Sequence, residues 1–180
     1  MTLAPLRMVS EAALLAAQRH SGAARKGRGN EPYINHLAEV ANLVSEASGG
    51  ADAELVAAGW LHDIIEDTAT TREELADRFS VRVAALVVEV SDDMGLPKDE
   101  RRRLQVVGAP HKSPDAKLIK IADKISNIRA RIVPDASKEE RDDLADYVAW
   151  AEKVVAGCRG VNAKLDTKFD EAVKAARSAL

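Results

Sequence analysis

The stretch WLHDIIEDT, residues 60–68, sets His62, Asp63, Glu66 and Asp67 among apolar neighbours. Acids on a half-buried element need a partner, because crowded like charges raise one another's pKa. On a continuous helix, with His62 at zero, Glu66 falls at about 40°, Asp63 at about 100° and Asp67 at about 140°. The four side chains then share one sector. Leu61, Ile64 and Ile65 occupy the rest. Adjacent His62 and Asp63 can grip one cation, and the acids a turn further on can reach a water beside it.

Alone, a His-Asp pair reads more often as a capped or salt-bridged helix. Two further segments shift the balance. PYINH places His36 near a helix start, after a basic loop. KLIKIADKISNIR carries Leu118, Ile121, Ile125 and Ile128 as an apolar stripe, with Asp123 and Asn127 four residues apart off that stripe. His36, His62, Asp63 and Asp123 form a set of two nitrogens and two oxygens. Such a set suits Mn, Fe, Co or Zn better than Ca, and on a six-coordinate ion it leaves room for water and substrate. Glu66 and Asp67 are then the candidate catalytic acids, with one of them titrating high. His20 and His111 fit no ligand spacing and read as surface or structural.

These residues need a scaffold, and the composition specifies its class. The chain has 180 residues, 46% hydrophobic and 31% charged, with only 3% aromatic. That is one globular domain, with a core built from Ala, Val, Leu and Ile. Helix formers dominate, and VRVAALVVEV reads by length as a buried helix. Helices are expected at about 6–21, 36–47, 52–66, 71–78, 80–92, 98–107, 114–131, 138–158 and 160–178. Asp52 and Thr70 or Thr71 are candidate caps, and Ser48-Gly49-Gly50 ends a helix. The expected fold is all-α: a single-domain helical bundle of about eight to nine helices over 1–180, without repeats or an internal linker.

A formal net charge of −3 offers no electrostatic case for nucleic acid. No stretch is apolar enough for a membrane span or a signal peptide. The lone Cys158 fits a reducing, cytoplasmic setting. Two basic clusters remain: Arg25, Lys26 and Arg28, and Lys98, Arg101, Arg102 and Arg103. Both suit phosphate, and the second reads for any one of its arginines as a solvated face.

The order His, His-Asp, Asp resembles the HD phosphohydrolase superfamily. The strings EPYINH, LHDIIEDT, LPKDERRRLQ, APHKSPDAKLIKIADKISNIR and YVAWAEKVVAG are more specific. They are similar to the small alarmone hydrolases and to the hydrolase half of RelA/SpoT enzymes, over about residues 10–160. The resemblance implies a Mn²⁺-dependent HD-type bundle. It would release pyrophosphate from the 3′ position of guanosine 3′,5′-bis(diphosphate) or the pentaphosphate, leaving GDP or GTP. Another 2′- or 3′-phosphorylated nucleotide, or a non-catalytic nucleotide-binding domain, are the alternatives. It implies His36, His62, Asp63 and Asp123 as Mn²⁺ ligands and Glu66 and Asp67 as the catalytic pair. Arg25, Lys26, Asn127 and Tyr147 would bind the nucleotide. Too little chain remains for a synthetase domain, so a stand-alone hydrolase is expected. The sequence departs from the family at Leu37, where Pro is usual, at Trp60, expected to narrow the pocket, and at Ala130, where a polar contact is lost.

Overall fold

In the computed structural model, residues 3–25 and 31–180 are described. Their regular elements are helices: α1 (Pro5–Arg19), α2 (Ile34–Ala47), α3 (Ala53–Leu61), α4 (Ile64–Asp67), α5 (Arg72–Arg78), α6 (Val81–Val90), α7 (Lys98–Gly108), α8 (Pro114–Arg131), α9 (Lys138–Ala156) and α10 (Ala163–Ser178). A single antiparallel bridge pairs Ala24 with Pro32. The helix starts are chemically marked. Asp52, Thr71, Ser80, Ser113, Ser137 and Asn162 each accept an orphan amide at the following N-terminus, and Ser137 with Glu140 closes a capping box. Of the two candidate threonines, Thr71 is the cap.

The helix α8 is the axis. Every residue from Ile119 to Ser126 is buried, so the one-sided apolar stripe read from sequence understates it. α2 and α10 pack along α8, α3 packs on α2, and α1 and α6 cover α3. Gly59 sets the α2–α3 approach: a Cβ there would stand 3.2 Å from the Ala41 Cα. That spacing lets His36 on α2 and His62 after α3 meet over α8. By contrast, α7 buries none of its residues. It is tied to α9 by the Trp150 indole N–H, which donates to the Arg102 carbonyl at 3.1 Å.

The structure departs from the expected helix 52–66 at the residues that matter most. The chain leaves the helix at His62 and Asp63 and resumes as one turn, α4. Asp63 sits at φ −97°, ψ −2°, the sparsely used bridge region common among site residues. The Gly59 carbonyl, which a continuing helix would offer to the Asp63 amide, accepts from the His62 Nδ1 at 2.9 Å. The single-sector wheel therefore fails beyond His62. Leu37 is fully buried in α2, which begins without proline at Ile34. Trp60 packs against the core, and Ala130 is buried. Neither residue lines the cavities described below.

Candidate functional site

His36, His62 and Asp123 each place a ligand-type atom within 4.8 Å of the others. The His36 Nε2 lies 3.4 Å from Asp63 Oδ2 and 3.5 Å from Asp123 Oδ1; the His62 Nε2 lies 3.0 and 3.9 Å from the same two atoms. At metal–ligand distances of about 2.1 Å, neighbouring ligand atoms stand about 3.0–3.4 Å apart. His36, His62 and Asp123 thus fit one ion, and Asp63 Oδ2 stands beside both imidazoles.

The protonation of the His62 ring fits it too. The His62 Nδ1 faces the Gly59 carbonyl, which can only accept. The His36 Nδ1 lies 3.0 Å from Ser126 Oγ, and that hydroxyl spends its one proton on Glu39 Oε2 at 2.5 Å. The His62 Nδ1 therefore carries hydrogen, which leaves its Nε2 to face the cluster; the His36 Nδ1 also lies 3.3 Å from the Arg25 guanidinium, which can only donate. Neither buried Nε2 makes a hydrogen bond. Asp63 Oδ2 accepts the Tyr33 hydroxyl at 2.6 Å. Asp123 accepts from Lys124 at 2.7 Å and from the Asn127 amide.

Charges around the cluster follow from burial and these contacts. Burial opposes protonation of His62, but the Asp63 and Asp123 carboxylates outweigh it and raise the ring to about 9. Burial also opposes ionisation of Asp123, yet Lys124 and the two imidazoles hold it at about 2. Asp63 is likewise held well below its usual range, chiefly by His62. Without an ion, a proton competes for the His62 Nε2, so metal binding must expel it.

Two cavities meet here, sharing Tyr33, Asn127 and Arg131 in their walls. The larger, about 460 Å³, is lined by Arg19, His20, Arg25 and Asp67 among others. The smaller, about 280 Å³, is lined by Asp63, Glu66, Asp123 and a wall of Lys98, Arg101, Arg102, Lys120 and Lys124. Tyr147 and Trp150 close it. Glu66 and Asp67 thus look into different cavities. Burial, then the Asp63 charge, raises Glu66 to about 7. One acid of the pair does titrate high, but Asp67 is not among the principal causes.

Arg25 is buried, and its guanidinium donates to the Ser126 carbonyl and hydroxyl, both at 2.7 Å. It braces the support of His36 as well as lining the cavity. Lys26 and Arg28 lie outside the described residues. Asn127 is half-buried, and Tyr147 is buried beneath the Arg131 guanidinium, 3.8 Å from its ring centre. In the second basic cluster Lys98 and Arg103 are exposed, Arg103 paired with Glu100 at 2.7 Å, while Arg101 and Arg102 are half-buried.

Sequence reasoning missed Tyr33, Lys120, Lys124 and Arg131; of its two readings of His20, surface or structural, the burial of the ring excludes the first. Helical spacing held part of the signal: Lys120, Asp123, Lys124, Asn127 and Arg131 recur at i, i+3, i+4, i+7 and i+11. Nothing local marks Tyr33 or His20.

A model of the HD domain family matches residues 12–149. The chain is 44% identical over 165 residues to a Xenopus tropicalis protein named guanosine-3′,5′-bis(diphosphate) 3′-pyrophosphohydrolase MESH1, covering 91% of each. It is 45% identical over 158 residues to the Homo sapiens protein of that name, covering 87% of each. Among solved structures it is similar to a metazoan orthologue of SpoT described as hydrolysing ppGpp. The TM-score there is 0.87 at 38% identity, covering 99% of this chain and 100% of that one.

Proposed function

The chain belongs to the HD domain family, and from that premise we infer that it is a metal-dependent guanosine 3′,5′-bis(diphosphate) 3′-pyrophosphohydrolase. It releases pyrophosphate from the 3′ position of the tetra- or pentaphosphate and leaves GDP or GTP. The carrying observation is the cluster of two imidazole nitrogens and two carboxylates, opening onto a cavity walled by six cationic side chains. A strongly anionic substrate needs both.

His36, His62, Asp63 and Asp123 would hold one divalent ion, for which Mn²⁺ is the proposed identity. The mixed nitrogen and oxygen donors support it. When bound, such an ion supplies Lewis acidity toward water and a phosphoryl oxygen. Glu66, with a pKa near the working pH, is suited to take a proton from the attacking water. Asp67, more exposed at the mouth of the other cavity, serves as its partner in proton transfer or water orientation. Lys98, Arg101, Arg102, Lys120 and Lys124 neutralise phosphate charge. Arg25, Lys26, Asn127 and Tyr147 are proposed to bind the nucleotide. The working compartment is proposed to be the reducing cytoplasm, on the single buried thiol of Cys158.

The test is a product assay. Purified, metal-stripped protein is given Mn²⁺, Mg²⁺, Zn²⁺ or nothing, with guanosine tetraphosphate or other 2′- and 3′-phosphorylated nucleotides. Pyrophosphate and GDP released only from the tetraphosphate with metal is the expected result. Monophosphate released from a 2′- or 3′-monophosphorylated nucleotide in preference would replace the substrate. No turnover with any metal would leave a binding domain.

A further inference from the structure

One histidine stands outside the metal cluster yet is built in the same way. His20, the residue that follows α1, has its Nδ1 3.0 Å from the Ala16 carbonyl, which can only accept. The hydrogen is therefore on Nδ1, and Nε2 is left facing Asp67 Oδ2 at 3.6 Å. The ring is stacked on Tyr33, with centroids 5.4 Å apart, so it cannot swing away without breaking two contacts. The burial of the pair is asymmetric: 2% of the His20 side chain is exposed against 42% for Asp67. A buried imidazole thus backs an exposed carboxylate that lines the larger cavity.

We propose that His20 is a positioning residue for the reaction, holding the Asp67 carboxylate toward the cavity through Nε2. The inference rests on the acid–base reading of Asp67 given above. A lone pair and an anion facing each other repel, so one proton must sit between them for the contact to hold. Burial disfavours charge on the ring, but Asp67 and the Ala16 carbonyl outweigh it and raise His20 above its ordinary value. Among the described residues, the other ionisable side chains lining this cavity are Arg19, Arg25, Tyr33 and Arg131, the last turned to Asp143 and the Asn127 carbonyl. Arg19 is turned to Glu74 at 2.7 Å, and Arg25 to Ser126. Tyr33 spends its hydroxyl on Asp63. His20 is thus the group set against Asp67, at the cavity wall with 2% of its side chain exposed.

The test is a double-mutant cycle at saturating metal with guanosine tetraphosphate. It uses wild type, His20→Asn, Asp67→Asn and the double variant, followed by single-turnover kinetics, with metal content and thermal melting measured on the same samples. Asn keeps a donor near the Nδ1 position but has nothing at Nε2. His20→Asn is expected to lower kcat roughly 10–100-fold, the usual effect of removing the support of a site residue, with KM and metal content near wild type. In the Asp67→Asn background the same change is expected to cost nothing more. His20→Gln, whose amide reaches the Nε2 position, is expected to restore part of kcat. An equal loss in both backgrounds, or a loss that follows metal content, makes His20 purely structural and overturns the proposal. Full activity of His20→Asn beside an impaired Asp67→Asn overturns it while leaving the reading of Asp67 intact. If Asp67→Asn itself keeps full turnover, the acid–base reading fails first and the role of His20 goes with it.

Discussion

At the scale of single residues, the site is governed by which atoms already hold a proton. Tyr33 donates to Asp63 Oδ2 at 2.6 Å and fixes how that carboxylate faces the imidazoles. Tyr33→Phe keeps the ring stack and removes only this donor. It should weaken divalent-metal affinity by roughly 10–100-fold while kcat at saturating metal stays near wild type, as read by metal titration beside turnover. A kcat loss without an affinity change would place Tyr33 in the chemistry instead. Glu66 makes a prediction in pH. Its carboxyl is raised to about 7 from an ordinary value of 4.5, so the folded protein binds a proton that the unfolded chain has released. The associated stability is full below about pH 4.5 and is lost as pH rises through 7. Metal-free Glu66→Gln should therefore gain stability relative to wild type with rising pH, by an amount on the order of 3 kcal/mol at most. Denaturant melts of both proteins at pH 5 and pH 8 measure it. An unchanged difference between the two pH values would mean that Glu66 is ionised throughout.

At the scale of elements, the break between α3 and α4 and the closeness of α2 and α3 do most to assemble the site. Gly59 serves both: its missing Cβ admits the Ala41 Cα, and its carbonyl holds the His62 ring. Gly59→Ala puts a methyl 3.2 Å from backbone, so α2 and α3 must part by a few tenths of an ångström. The expected cost is about 1–3 kcal/mol of stability. Metal affinity should fall with it, because His36 rides on α2 and His62 on the end of α3. Melting and metal titration on one sample test this; lost stability with unchanged affinity would uncouple the helix spacing from the cluster. The basic helix α7 behaves differently. With no buried residue, it takes its place from what lies beside it: the Trp150 indole holds the Arg102 carbonyl, and the Arg102 guanidinium lies 5.0 Å from the centre of the same ring.

At the scale of the whole molecule, one cluster joins α2, the α3–α4 break and α8, which lie far apart in sequence but together form the core. An ion bound there ties folded elements that the unfolded chain cannot bring together. Metal at 100 times its dissociation constant should stabilise the fold by about 2.7 kcal/mol, seen as a rise in the melting temperature that disappears in Asp123→Ala. A rise of equal size in Asp123→Ala would put the ion elsewhere. The all-helical class and most helix spans were legible in sequence, because apolar spacing and caps such as Asp52 and Ser137 are local signals. So were His36, His62, Asp63 and Asp123 as ligand types, since an imidazole beside a carboxylate keeps its donor chemistry wherever the chain goes. The tertiary structure decided what depends on neighbours distant in sequence. It broke the helix at Asp63 and turned Glu66 and Asp67 into separate cavities. It divided the second basic cluster between the cavity wall and solvent. It also buried His20 against Asp67, a contact between residues 47 positions apart that no periodicity encodes. Periodicity reports which face of a helix is apolar; only packing decides which polar groups are desolvated together, and that desolvation sets their protonation.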